Sequence, residues 1–306
     1  MATPKRKTRR TATALSIILL LISAGLIVVT SMNAERAIRA FFMNVTLKEK
    51  YDDSVSRREE LMDEIVSLQD EIEVYSNYDE KVENLKNTFF ENALLADTLA
   101  KQGEADFKVC YLTFDDGPYL LTEKFLDVLD EYDVKATFFT LAKEGYDETY
   151  ERQIKSGHTL ANHSYQHTIR TIYDDEDTLI RDFVNHRKFT ESKFGYASRV
   201  LRFPGGSDQI SYMGLSKSHV VGRIADEGYG YVDWDCTTED GKMVLSPEEF
   251  TANVLNNTRD RNVLVVLMHD YSRNTCTALP DIIEGLQDQG YIFLPLFYES
   301  SAVRKD

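Results

Sequence analysis

The stretch Val109-Cys110-Tyr111-Leu112-Thr113-Phe114-Asp115-Asp116-Gly117-Pro118 decides how the rest of this chain is read. Val109 to Phe114 reads as a strand; two adjacent carboxylates end it and a Gly-Pro turn follows. Such a pair cannot both point into a core, so one carboxylate can bind a metal while its neighbour acts as a base. After the turn, Thr122 to Tyr132 reads as a helix with Phe125, Leu126 and Leu129 on one face, and Val134 to Thr140 as the next strand. Further strands are predicted at Thr159 to Asn162, Val200 to Phe203, Tyr229 to Trp234, Val263 to Met268 and Ile292 to Leu296. Helices are predicted between them at Asp147 to Lys155, Glu176 to Phe194, His219 to Glu227, Pro247 to Asn256 and Asp281 to Gln289. This alternation predicts an α/β fold, a distorted (β/α) barrel of about seven parallel strands, with functional groups on the loops that follow the strands.

The residues that carry chemistry fall at those strand ends. His163 and His167 are separated by three residues, a spacing that puts both imidazoles on one side of a helical turn or tight loop. With Asp116 they make a three-ligand site that leaves positions open for water and substrate, as catalytic zinc or iron sites do. Arg202 leads Phe203-Pro204-Gly205-Gly206, where proline fixes the backbone and the glycines allow close approach to a ligand. His269 closes the strand that starts at Val263, with Asp270 directly after it, and an unperturbed imidazole pKa of about 6.5 lets it lend a proton near neutrality. His158, His186 and His219 lie outside these segments and read as structural or exposed.

Five segments in order, Thr113 to Pro118 (TFDDGP), His163 to His167 (HSYQH), Arg202 to Gly206 (RFPGG), Asp233 to Asp240 (DWDCTTED) and Leu267 to Asp270 (LMHD), resemble the polysaccharide deacetylase family, the NodB homology domain of carbohydrate esterase family 4. The likeness covers residues 107–298 and implies a NodB-type barrel that removes acetyl groups from sugars with one divalent metal ion, zinc being the first candidate. It implies metal binding by Asp116, His163 and His167, and a catalytic base, Asp115, oriented by Arg202. It further implies an oxyanion donor in the Gly205 backbone N–H, a general acid in His269 tuned by Asp240, and a pocket for the acetyl methyl lined by Leu267. The chain departs from the family's D-x-x-D-W pattern in the fourth segment, where Thr237 replaces the first aspartate and Gly241 the groove-lining tryptophan. The single tryptophan, Trp234, lies earlier and reads as packing at a strand end.

The expected substrate is an acetylated extracellular polysaccharide, first of all peptidoglycan N-acetylglucosamine, with chitin oligomers, poly-N-acetylglucosamine and acetyl-xylan esters as alternatives. A catalytically inactive, membrane-tethered glycan-binding or scaffold protein is the rival reading; the intact set of site residues speaks against it.

Composition organises the remainder. A net charge of −16 disfavours nucleic acid as a partner. Five of the first ten residues are basic, and Ala12 to Met32 contains no charge, with Leu15 to Val29 mostly Leu, Ile and Val. That length can span a bilayer, and the basic flank orients the N-terminus to the cytoplasm; a cleaved signal peptide is the competing reading. The expected organisation is a cytoplasmic basic tail at 1–11, a transmembrane signal anchor at 12–32, a helical or coiled-coil stalk at 33–104 and an extracellular catalytic domain at 105–306. Within the stalk, Leu61, Ile65, Leu68, Ile72 and Tyr75, then Tyr78, Val82, Leu85 and Phe89, keep heptad spacing across one break in phase. Such a seam allows a homodimer through the stalk; the alternative is a single amphipathic helix packed on the catalytic domain or the membrane. Cys110, Cys236 and Cys276 read as buried thiols, with a Cys236–Cys276 bridge left open. The glycosylation-like tripeptides at Asn44, Asn162 and Asn256 read as chance matches.

Overall fold

The computed structural model describes residues 56, 57, 60, 61 and 84–305. The expected basic tail, membrane anchor and most of the heptad seam lie outside the described residues, and among those described no helix is long and apolar enough to cross a membrane. Residues 86–306 form one compact unit.

Its framework is a single parallel sheet of β1 (Lys108–Asp115), β2 (Thr137–Leu141), β3 (Thr159–Ser164), β4 (Val200–Leu201), β5 (Gly230–Tyr231), β6 (Cys236–Thr237), β7 (Val263–His269) and β8 (Tyr291–Phe293). The spatial order is β5-β4-β3-β2-β1-β7-β6, and β8 pairs with β1 beyond the end of β2. No pairing joins β5 to β6 among the described residues, so the expected barrel is a half-barrel, open between its two shortest edges. Two-residue strands at β4, β5 and β6 offer too few ladder bonds to draw the edges together.

A helix at residues 84–102, α1, packs on the inner face of that half-barrel. Its Ala93 and Ala100 join a cluster with Val109, Tyr111, Phe139, Ala161, Val200 and Val265. Its buried Asp97 accepts from the Tyr111 hydroxyl at 2.7 Å and from the Ser301 N–H and hydroxyl at 2.7 and 2.9 Å, tying the helix to β1 and to the C-terminal segment. The compact unit therefore begins N-terminal of residue 105, the boundary expected from composition, and takes in residues 86–104. Phe89, read as part of the heptad seam, meets Phe297 edge-on at 6.5 Å.

The outer face carries α2 (Thr122–Glu131), α3 (Asp147–Lys155), α5 (Glu176–Phe194), α7 (Lys217–Asp226), α8 (Pro247–Leu255) and α9 (Arg273–Asp288), with single-turn helices α4 (Ile169–Ile172) and α6 (Asp208–Tyr212) in the loops. Local signals set several of their ends. Asp175 accepts from Thr178 N–H at the start of α5, and Gly195 ends that helix in the left-handed region. Ser246 and Glu249 form a reciprocal capping box before α8, with Pro247 at its first turn.

Strand parity then sorts side chains between the two faces. On β1, Cys110, Leu112 and Phe114 enter the outer core with Phe125, Leu126, Phe138 and Ile282, whereas Val109 and Tyr111 face inward. Each fully buried phenylalanine of this outer core contributes about 1.5–3 kcal/mol by leaving water. Continuing the inward parity gives Thr113 and Asp115 on β1, His163 after Ala161 on β3, Arg202 after Val200 beyond β4, and Leu267 and His269 after Val265 on β7. Register does the rest, because Asp115 pairs with His269 on one side and Phe139 on the other.

Candidate active site

At the C-terminal ends of β1 and β3 one carboxylate meets two imidazoles. Asp116 Oδ1 lies 3.4 Å from His163 Nε2 and 3.1 Å from His167 Nε2, and the three donor atoms fall within 4.8 Å of one another. Two donors about 2.1 Å from one ion at a tetrahedral angle stand roughly 3.4 Å apart, so these spacings suit a shared cation. Two further observations point the same way. Asp116 Oδ1 is buried with no hydrogen-bond partner, and a buried acceptor left without a donor is costly unless something else satisfies it. The second is tautomer control: His163 Nδ1 lies 2.9 Å from the Arg202 carbonyl, an acceptor only, so Nδ1 carries the proton and Nε2 presents its lone pair to the site.

Charge balance agrees with the geometry. Burial opposes ionisation of Asp116, but His163, His167 and His269 beside it hold its carboxyl well below the usual carboxylate range. Burial likewise disfavours charge on His163, yet Asp115 and Asp116 raise its pKa. A bound cation would answer the same demand for positive charge and release that proton. Burial and the neighbouring His163 lower the pKa of His167, which favours the neutral, ligating form.

The second carboxylate is held differently. Asp115 Oδ1 accepts from Arg202 Nη1 at 2.8 Å, and the same nitrogen donates to Thr113 Oγ1 at 2.8 Å. Arg202 is 0 % exposed. Its remaining N–H groups reach the Val232 and Asp233 carbonyls, and its guanidinium lies 4.1 Å from the Phe139 ring centre. With Oδ1 engaged, Oδ2 is the free oxygen, 3.7 Å from His163 Nε2 on the side of the donor cluster.

His269, the register partner of Asp115 on β7, brings its Nε2 to 4.0 Å from Asp116 Oδ2. Its Nδ1 is 2.7 Å from the buried Asp240 Oδ1, while Asp240 Oδ2 accepts from the His269 backbone N–H at 3.0 Å and from Thr275 Oγ1 at 2.6 Å. Burial opposes charge on His269, but the Asp240 hydrogen bond and the nearby carboxylates raise its pKa above the ordinary value. Gly241 packs directly on this imidazole; an added Cβ would lie 2.7 Å from His269 Cε1, so no side chain fits where the family pattern has tryptophan. Trp234 packs instead against Gly206 and beside Arg202, as read from its place at a strand end. Gly205 is exposed with φ +81°, and its N–H enters no backbone hydrogen bond among the described residues. Leu267 lines the inner face at 7 % exposure.

The loops that carry these groups rest on Asp182, which the sequence reading did not single out, and on Asp233 and Asp270, which stood in the quoted segments with no role assigned to them. Asp182 of α5 accepts from Ser164 Oγ, Tyr165 N–H and Gln166 N–H, and Ser164 Oγ accepts from His167 N–H at 2.7 Å, which fixes the loop between the two histidines. The signal available was an acid on the face of a helix that buries Leu179, Phe183 and His186. Asp233 holds the loop of Gly205 through Ser207 N–H and Oγ at 2.9 and 2.6 Å. Asp270 is fully buried; its Oδ2 accepts from Thr122 Oγ1 at 2.5 Å, and burial pushes its carboxyl up to about 7. It presses so closely on the turn after Asp116 that a Cβ on Gly117 would lie 2.2 Å from Oδ2, so this turn accepts only glycine.

The remaining polar expectations resolve simply. His158 and His186 are buried structural histidines, accepting from Ala136 N–H and meeting Thr140 Oγ1, and His219 is exposed beside Glu176. Asn162 is buried against Phe183 and Tyr229 and cannot carry a glycan. All three cysteines are free thiols, so no Cys236–Cys276 bridge is formed.

A half-barrel of parallel strands thus brings together an aspartate–histidine–histidine donor set of the kind that can hold a divalent ion, a clamped carboxylate and a carboxylate-backed histidine. The polysaccharide deacetylase sequence profile matches residues 102–219. The Bacillus subtilis (strain 168) protein YheN is 33 % identical over 200 residues, which span 63 % of this chain and 68 % of YheN. A peptidoglycan-N-acetylglucosamine deacetylase of Bacillus cereus is 31 % identical over 206 residues, covering 63 % of this chain and 70 % of that protein. The catalytic domain of a peptidoglycan N-acetylglucosamine deacetylase from Eubacterium rectale superposes with a TM-score of 0.61 at 35 % identity, over 65 % of this chain and 92 % of the domain. The chain belongs to the polysaccharide deacetylase family and carries that family's hydrolase fold for deacetylating a glycan.

Proposed function

We propose that this protein hydrolyses the N-acetyl group of amino sugars in an extracellular polysaccharide, with peptidoglycan N-acetylglucosamine as the first substrate. The observation that carries the reading is that Asp115 Oδ2 lies 3.7 Å from His163 Nε2 and His269 Nε2 lies 4.0 Å from Asp116 Oδ2, so a second carboxylate and a third imidazole both adjoin the Asp116, His163 and His167 cluster. A base and an acid thus adjoin one set of donors. The Bacillus cereus and Eubacterium rectale relatives, both named for peptidoglycan N-acetylglucosamine, support the choice of polymer.

Asp116, His163 and His167 would hold a divalent ion, zinc first and other transition metals after it, which when bound polarises the acetyl carbonyl and lowers the pKa of nearby water. Asp115, its Oδ1 fixed by Arg202, takes the proton of the attacking water through Oδ2. The Gly205 N–H donates to the oxygen that becomes negative, the oxyanion-hole role. His269, backed by Asp240, gives its proton to the departing nitrogen. One amide bond and one water become acetate and a free amine, and Leu267 borders the space for the methyl group. Residues 12–32 act as the membrane anchor, and the stalk expected at 33–104, less residues 86–104 that belong to the compact unit, as a helical segment able to pair two copies, which keeps the catalytic domain outside the cell beside its polymer.

Acetate release from N-acetylglucosamine oligomers and from purified peptidoglycan tests this reading, with Asp115→Asn as the inactive control. A wild-type protein supplied with zinc, cobalt or manganese that releases no acetate from either would end it.

The acid role predicts a pH effect. Protonated His269 is the active form, and the Asp240 hydrogen bond raises its pKa while burial lowers it. Asp240→Asn removes the raising effect of the Asp240 carboxylate and leaves those of Asp115 and Asp116 with the lowering effect of burial, so the alkaline limb of the kcat profile should move to lower pH. A limb that stays in place would assign it to another group.

A further inference from the structure

The reaction above leaves one row of side chains at the edge of the site without a task. Tyr271 lies just beyond β7, its ring 5.0 Å from the His269 imidazole and tilted by 30°. Tyr119, from the turn after Asp116, meets it edge-on at 5.5 Å and 84°. Lys143 covers Tyr119 with its ammonium 3.2 Å from the ring centre and donates to the Asp116 carbonyl at 2.8 Å. The row is thus pinned at one end to the metal-cluster turn and at the other to the proposed proton donor.

Had Tyr271 served only to wedge His269, its ring would be expected in the core, yet it keeps 39 % exposure. Its hydroxyl has no hydrogen-bond partner among the described residues. A braced aromatic ring left partly in solvent beside a reacting group is suited to a flat, partly apolar ligand. A pyranose is such a ligand, because its axial C–H groups present an apolar face while its hydroxyls point outward. For His269 to protonate the acetamido nitrogen, the sugar carbon bearing that nitrogen must come within a few bonds of the imidazole. The Tyr271 ring, in contact with that imidazole, is then within reach of the same pyranose. Gly241, packed on His269, has no side chain to offer a competing platform.

We propose that Tyr271, braced by Tyr119 and Lys143, is a specificity-determining residue that stacks on the pyranose ring carrying the acetyl group. The inference rests on the deacetylase reading and adds the residue that distinguishes a sugar-borne acetamide from any other.

The test uses the full chain, wild type, Tyr271→Ala and Tyr271→Phe, with N-acetylglucosamine oligomers. Loss of the ring should raise KM roughly tenfold, the scale of one aromatic contact, and leave kcat within about twofold. Tyr271→Phe should restore wild-type KM, and zinc affinity by chelator competition should be equal in all three. An unchanged KM in Tyr271→Ala, or a fall in kcat alone, would overturn the inference while the deacetylase reading stands. If the wild type releases no acetate, that reading fails by itself. Oligomer titration followed by NMR then still decides the stacking: binding lost in Tyr271→Ala supports it, and equal binding overturns it.

Discussion

Asp116→Asn should lower acetate release by on the order of a thousandfold, with the protein still folded. Asp116 supplies the only carboxylate of the donor cluster, and its Oδ1 is the atom both histidines face. A catalytic ion contributes several kcal/mol of transition-state stabilisation, and about 1.36 kcal/mol corresponds to each tenfold in rate. Asparagine suits the test because the residue sits at φ +73°, a backbone region that asparagine and aspartate enter more readily than alanine. Chelation should inactivate the wild type to a similar degree, and added zinc should restore the wild type and not the variant. Metal content of the purified proteins, measured by mass spectrometry, should separate them in the same way. Wild-type activity that survives exhaustive chelation would remove the metal from the mechanism.

Arg202→Met should cost about 3–5 kcal/mol of folding stability, because it strands the buried Asp115 carboxylate without its partner. Exposed pairs elsewhere, such as Arg152 with Glu123, are worth about 1 kcal/mol or less. The contrast makes burial the deciding variable. Adding Asp115→Asn to Arg202→Met removes the stranded charge and should recover part of the loss, a coupling that urea denaturation of the two single variants and the double variant measures directly. Strictly additive losses would show that Arg202 acts through packing on Phe139 alone. Both single variants should also lose activity, since Arg202→Met leaves the proposed base unheld and Asp115→Asn removes it.

Much of this architecture could be read from the chain because its signals are local. The helices Asp147–Lys155 and Glu176–Phe194 fall where their acidic first turns, and in the second case Asp175 and Gly195, place them. Pro280 misled the reading of the last helix, which begins at Arg273 under a Ser272 cap and runs through the proline. The two-residue β6 gave no periodic signal at all; its pairing with β7 exists only in three dimensions. Asp115, His163, Arg202 and His269 were legible because each lies at a strand end on the inward parity, and Asp116 and His167 because they follow two of them in the loops beyond. Asp182, Asp233, Asp270 and Tyr271 were not, because their partners come from distant segments and nothing near them in sequence announces the contact. The place of α1 on the inner face matches the alternative reading of the stalk, a helix packed on the catalytic domain, over residues 86–104; composition alone had separated it from that domain.

β1 is hydrogen-bonded along both edges, to β7 on one and to β2 and β8 on the other. Its amide protons should therefore be among the slowest to exchange with heavy water, and those of β4 to β6 among the faster. The outlying loops can then loosen, lengthen or drift in sequence toward a different polymer while the carboxylate pair at the tip of this strand stays put. Diversification of diet and constancy of chemistry are separable in such a molecule because they are written on parts that unfold at different free energies.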